Sequence, residues 1–186
     1  EITVLDDWLA HWFHVRAHPV FIKAMMFITH WHNTAGMMLM TAALGTWLYL
    51  RKARYWALAL LFTVPGGMLL NVALKHTFQR ARPSFDNPLL TLATYSFPSG
   101  HTVAATLFYG FVAAYLIHLT PRWKTRLVIA AGACLMVGLV GFSRMYLGVH
   151  YLSDVLAAVV EGSGWLAICI SGVSTLRRRR EGRRLG

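Results

Sequence analysis

Ser143-Arg144-Met145-Tyr146-Leu147-Gly148-Val149-His150-Tyr151-Leu152-Ser153-Asp154 decides how the rest of the chain is read. The stretch is short, and it sits between two strongly apolar runs. It carries an arginine, a histidine and, four residues after the histidine, an aspartate. If the chain is helical from His150 onward, His150 and Asp154 share one face, one turn apart. A carboxylate so placed holds one imidazole nitrogen and leaves the other free for attack or proton transfer.

The flanking runs belong to a set. Residues 34–50, 55–74, 101–119, 127–142 and 153–176 each approach the roughly 20 apolar residues that cross a bilayer. The 186 residues are 56% hydrophobic and 13% charged, with mean hydropathy +0.49. Soluble domains carry about a quarter charged residues. The expected fold is all-α, a polytopic transmembrane bundle of about five spans occupying 34–176. Pro65-Gly66-Gly67 should kink the second span, which neighbouring helices tolerate. Residues 1–33 mix Trp8, Trp12 and Phe13 with Asp6, Asp7, Arg16 and Lys23. They are too polar to span and read as an amphipathic interfacial arm, broken near Pro19. Residues 177–186 read as a basic cytoplasmic tail.

The net charge is +11. No nucleic-acid recognition motif accompanies it, so a nucleic-acid partner is not expected. The charge instead marks sides of a membrane. Of the 18 Lys and Arg, 12 fall in 51–54, 120–126 and the tail. Alternating spans put these three segments on one side, which is then cytoplasmic. Loop 75–99, the stretch 143–152 and the N-terminal arm all fall on the outer side. An arm that begins outside implies a further span upstream of residue 1. Cys134 and Cys169 lie inside apolar runs and read as small core residues. His11, His14, His18, His30 and His32 crowd the arm, but no carboxylate or cysteine completes a ligand set, and no metal is expected there.

Two outer stretches complement the first. Lys75-His76-Thr77-Phe78-Gln79-Arg80-Ala81-Arg82-Pro83 closes the second span. Lys75 and Arg82 are two helical turns apart, so a continuing helix would put them on one face, until Pro83 ends it. Pro98-Ser99-Gly100-His101 opens the third span. Ser99 is placed to cap a helix beginning near His101, and free N–H groups at a helix start favour anions. His101 adds a group that titrates near neutral pH. Fixed positive charges at Lys75, Arg82 and Arg144 around such a helix start suit a phosphate or another tetrahedral oxyanion.

Lys75-x6-Arg82-Pro83, then Pro98-Ser99-Gly100-His101, then Ser143-Arg144-x5-His150-x3-Asp154 resembles the three-part signature of the type 2 phosphatidic acid phosphatase superfamily. All three parts match in order. The resemblance covers roughly residues 34–176. It implies a membrane lipid phosphatase that uses no metal or other cofactor. By the same resemblance, His150 is the nucleophile that forms a phosphohistidine. Asp154 orients it, and His101 protonates the leaving group. Lys75, Arg82, Ser99, Gly100 and Arg144 hold the phosphoryl oxygens. The implied partner is a membrane lipid: phosphatidic acid, phosphatidylglycerol phosphate or undecaprenyl pyrophosphate. The expected location is the bacterial inner membrane, with the site on the periplasmic face. A lipid phosphotransferase of the same fold, or a non-enzymatic anion-binding transporter or scaffold, would carry the same charges.

Other residues read more weakly. Arg80 and His76 read first as interfacial anchors and second as attractors of anionic head groups. Glu161, two turns beyond Asp154, calls for an interior hydrogen-bond partner. Leu89, Leu90, Leu92, Tyr95 and Phe97 either rest in the interface and guide a lipid inward or only pack their loop.

Overall fold

Each apolar run becomes a helix in the computed structural model, which describes residues 2–185, with side chains to residue 180. Seven helices follow one another among the described residues: α1 Ile2–Val15, α2 Pro19–Trp31, α3 Thr34–Leu50, α4 Arg54–Phe78, α5 Gly100–Leu119, α6 Trp123–Tyr146 and α7 Leu152–Leu185. The chain is thus the all-α bundle expected. α4 to α7 are long and apolar enough to cross a membrane. α3 is equally apolar but has 17 residues, about 26 Å at 1.5 Å per residue, slightly less than the roughly 30 Å hydrocarbon core.

Local chemistry sets the helix ends. The Asn33 side chain accepts from the Gly36 N–H at 2.8 Å and starts α3. Pro19 occupies the first turn of α2, where its missing N–H costs nothing, and the His18 ring accepts from Val20. The arm is therefore two helices with a break at residues 16–18, close to the expected place. Pro65 does not interrupt α4. That helix stops at Phe78 because Gln79 turns left-handed, with φ +48°. The stop comes before Arg82, so Lys75 and Arg82 do not share a helical face. α7 continues through Arg177–Arg180, so the start of the basic tail extends the last span.

α5 is the hub. Val103 to Phe108 and Phe111 are buried, packed against Leu60 and Val64 of α4 and Ala158 of α7. Without a hydrophobic drive between helices in lipid, close approach depends on small residues. A Cβ on Gly162 of α7 would lie 2.8 Å from Thr106 Cβ, and one on Gly67 of α4 would lie 2.5 Å from Leu107 Cδ1. The outer perimeter is apolar and exposed, as at Leu69, Leu135 and Val160. Cys169 is buried as expected, but Cys134 is exposed on α6. α6 turns most of its surface away from the bundle, so an apolar run there meets lipid rather than core.

Gly162→Val forces a branched side chain against the α5 backbone side of Thr106, and overpacking of this kind costs about 1–3 kcal/mol. Its Tm in detergent should fall. Gly164→Ala, with nothing within 4 Å, should hold or raise Tm. Equal melting of the two variants would contradict this packing.

Candidate active site

The three marked stretches converge at one end of the bundle. Lys75 lies in the last turn of α4, and its Nζ donates to the carbonyls of Tyr95 (2.8 Å) and Ser96 (3.4 Å). Arg82 arrives by the loop after α4. Its Nε donates to Thr94 O at 2.6 Å, Nη2 to Tyr95 O at 3.0 Å, and Nη1 to Val149 O at 2.7 Å. A guanidinium held at this many points has little freedom left to lose when an anion docks. Gly100 begins α5; a Cβ there would come within 3.2 Å of Asn71 Oδ1. His101 follows it and faces the same cavity.

Ser99 sits at the N-cap position but makes no side-chain cap bond. Its Oγ accepts from Thr102 Oγ1 at 2.9 Å, and its N–H donates to the Asp154 carbonyl at 3.1 Å. It is fully buried and helps lock α5 to α7 instead of capping α5.

Arg144, in the last turn of α6, is 1% exposed. Its Nη1 donates to Thr29 Oγ1 of α2. Its Nε and Nη2 are buried without a hydrogen-bond partner in the protein, and the residue lines the cavity. A buried guanidinium left half-satisfied is costly, and an anion in that cavity would satisfy it.

His150 is not in a helix. Gly148, at φ +68°, turns the chain after α6, and α7 begins only at Leu152. The expected helical pairing is thus replaced by a turn, yet the two residues still meet: His150 Nδ1 lies 3.4 Å from Asp154 Oδ2. That is a long contact between a carboxylate and a neutral ring rather than a tight hydrogen bond. Arg82 Nη1 lies 3.2 Å from His150 Nε2. Arginine has only hydrogens to offer, so Nε2 carries the lone pair and Nδ1 carries the proton toward Asp154. Burial pushes the imidazole down to about 3; Asp154 opposes this, while Arg82 and Arg144 add to it. The resting ring is neutral at pH 7.

Asp154 is fully buried in the first turn of α7. Oδ2 accepts from Ser96 Oγ and from the Tyr151 N–H at 2.9 Å, and Oδ1 accepts from Arg80 Nη1 at 2.8 Å. Arg80 in turn pairs with Asp6 of α1 at 2.9 Å. Arg80 is therefore an internal bridge, not the interfacial anchor expected. His76 is exposed and edges against Tyr95.

A cavity of about 570 Å³ joins these groups. His150, His101, Lys75, Arg82, Gly100 and Arg144 line it, together with the apolar Met38, Met68, Leu69, Val72 and Leu92. Ser99 and Asp154 stand behind the wall. Glu161 finds the expected interior partner, accepting from Asn71 Nδ2 at 3.1 Å. The apolar loop residues divide: Leu92 faces the cavity, Leu90 packs beside Phe13 and Tyr146, and Phe97 packs on Phe78.

Sequence reasoning missed the contributions of the arm. Asp6, Thr29 and His32 all reach the site; His32 lines the cavity wall, held there by Tyr109 Oη at 2.7 Å from its Nε2. Of the other arm histidines, His14 stacks on Phe85 and His18 caps α2. Among the described residues no three His, Cys, Asp or Glu are grouped so as to hold a metal ion. The available signal was Asp6 itself, an acid inside an otherwise membrane-seeking helix.

Membrane-length helices with fixed cations and a buried neutral imidazole at one end define a class: an integral membrane protein whose pocket suits a phosphate-like anion. Comparison narrows the class. The family described as the PAP2 superfamily matches residues 54–178, and the chain belongs to it. The chain is 33% identical over 147 residues to phosphatidylglycerophosphatase B of Bacillus subtilis, covering 77% of this chain and 71% of that one. It is 30% identical over 125 residues to undecaprenyl-diphosphatase of Sulfolobus acidocaldarius, covering 64% of this chain and 56% of that one. A crystal structure of a transmembrane PAP2-type phosphatidylglycerolphosphate phosphatase from Bacillus subtilis superposes with TM-score 0.81 at 27% identity, over 96% of this chain and 87% of the other. The chain is a phosphatase of that family, set in a membrane.

The state of His150 has a measurable sign. Between about 6.5, the ordinary imidazole value, and about 3, the unfolded chain binds a proton that folded His150 refuses. Stability is therefore full above that window and is lost as pH falls through it. Melting in detergent should steepen with acidification in the wild type and less so in His150→Gln, by up to about 1.4 kcal/mol per pH unit. Parallel curves would mean that the folded ring takes the proton.

Proposed function

We propose that the protein is a lipid phosphatase that hydrolyses a phosphomonoester or a pyrophosphate of a lipid through a covalent phosphohistidine at His150. One observation carries this reading. His150 Nε2 presents its lone pair beside Arg82, while Nδ1 faces Asp154, in a cavity lined by both cations and apolar side chains. The cations suit a phosphoryl group, and the apolar side chains suit the chains of a lipid.

In the proposed reaction Lys75, Arg82, Arg144 and the N–H of Gly100 hold the phosphoryl oxygens. Ser99 holds α5 in place for that contact. Nε2 attacks phosphorus, the P–O bond to the leaving group breaks, and His101 gives that oxygen its proton. Asp154 stabilises the charge that appears on the imidazole. Water then attacks the phosphohistidine, His101 takes its proton, the P–N bond breaks, and inorganic phosphate leaves. The fixed cations supply the charge that a metal supplies elsewhere, so no step requires one.

Phosphatidylglycerol phosphate is the first substrate to test, because a relative matched over 77% of this chain is named for acting on it. Undecaprenyl pyrophosphate and phosphatidic acid share the phosphoryl group and the apolar chains. The charge bias of the loops supports a site on the outer, periplasmic face of the inner membrane.

His150→Ala should abolish phosphate release from all three lipids, and activity should persist in EDTA. Brief reaction with labelled substrate should leave an acid-labile, base-stable label on the wild type alone. Full turnover by His150→Ala would sink the assignment. Arg144→Ala should lower kcat/KM across the whole panel by about 100-fold or more, as when one transition-state donor is lost.

A further inference from the structure

We propose that Asp6, on α1 and outside the family-matched span, is a positioning residue for the His150–Asp154 pair and acts through Arg80. The inference rests on the reading of His150 as nucleophile.

Asp6 is 1% exposed. Every contact it makes leads to the site. Oδ2 accepts from Arg80 Nη2 at 2.9 Å and from Ser153 Oγ, and Oδ1 accepts from the Ser153 N–H at 2.9 Å. Ser153 directly precedes Asp154. Arg80 Nη1 donates to Asp154 Oδ1 at 2.8 Å and to Ser153 Oγ at 2.6 Å, and its guanidinium lies 4.4 Å from the centre of the Tyr151 ring. The guanidinium is thus fixed on several sides, and its fork spans two carboxylates.

The two oxygens of Asp154 are divided between tasks. Oδ1 is taken by Arg80, while Oδ2 faces His150 and also accepts from Ser96 Oγ and the Tyr151 N–H. Holding Oδ1 completes the set of bonds that fixes the rotation of the carboxylate and so the position of Oδ2. Charge balance follows the same line. Asp154 and Arg80 alone would cancel, leaving little field at the imidazole. With Asp6 the trio keeps one net negative charge next to His150. The ring gains positive charge only when Nε2 bonds to phosphorus, so this charge acts on the reacting state more than on substrate binding. Burial works against the Arg80 charge, yet Asp6 and Asp154 together raise its pKa above the ordinary value.

The test uses the full chain in detergent micelles, with phosphatidic acid as the probe and phosphate release as the readout. Asp6→Asn keeps the shape and removes the charge. Its kcat should fall by about 10- to 100-fold, the range of coupling within one ion-pair network, with KM nearly unchanged. Arg80→Met should fall likewise, and the double variant should be no slower than Arg80→Met alone. Wild-type kcat in Asp6→Asn overturns the proposal. So do losses that multiply in the double variant, since Asp6 would then not act through Arg80. If Asp6→Asn does not fold, Arg80→Met and Asp6→Glu decide: normal kcat in Arg80→Met, or no recovery of kcat in a folded Asp6→Glu, overturns it. His150→Ala runs beside them. Activity there removes the nucleophile assignment, whereas an inactive His150→Ala with a normal Asp6→Asn removes only the role of Asp6.

Discussion

Asp154 is fully buried, and a buried carboxylate persists only where donors surround it. Its donors come from all around the site. Ser96 brings the loop after α4, the Tyr151 N–H starts α7, Arg80 brings α1 with it through Asp6, and His150 stands against the remaining flank. The backbone carbonyl of the same residue receives the Ser99 N–H and so ties down the start of α5. One residue therefore draws four segments to one point. The cavity and its cations are laid out around that knot.

The bundle divides its work accordingly. α5 is held rigidly by small-residue contacts with α4 and α7. The groups proposed for catalysis sit at element ends, where backbone direction changes: Lys75 at the end of α4, Gly100 and His101 at the start of α5, Arg144 at the end of α6, and Asp154 at the start of α7. Ends carry the free N–H and C=O groups and the exposed side chains that phosphate chemistry needs, while the helix interiors keep spacing constant.

Much of this was legible in the chain. Five apolar runs named the helices, and the basic loops sorted the three marked stretches onto one side. Residue types at their spacing then named Lys75, Arg82, His101, Arg144, His150 and Asp154 as one site. Local geometry was less legible. The expected helix through Arg82 gives way to a left-handed Gln79 and a loop, and the His150–Asp154 helix gives way to a turn at Gly148. In both places the side chains meet anyway, because the tertiary position was specified by partners and not by helical period. Thr29 was not legible at all, and Asp6 only as an acid in a membrane-seeking helix, without its partner. The partners lie 115 and 74 residues away, and no periodicity in one sequence encodes such a pair. Arg80 gave a partial signal: a third guanidinium or ammonium between Lys75 and Arg82 exceeds what anchoring a helix end requires.

α3 shapes the bilayer as well as the protein. At 17 residues it is about 26 Å long, against about 30 Å for the apolar run 55–74 of α4 beside it. The hydrophobic height around the perimeter is therefore uneven. It is lowest at the wall that contributes Thr34 and Met38 to the cavity. Lipid next to a short wall thins, at fractions of a kcal/mol per Å. On the proposed reading, a lipid beside α3 would start nearer the cavity mouth than one beside a full-length helix, and bilayer thickness would then enter the rate.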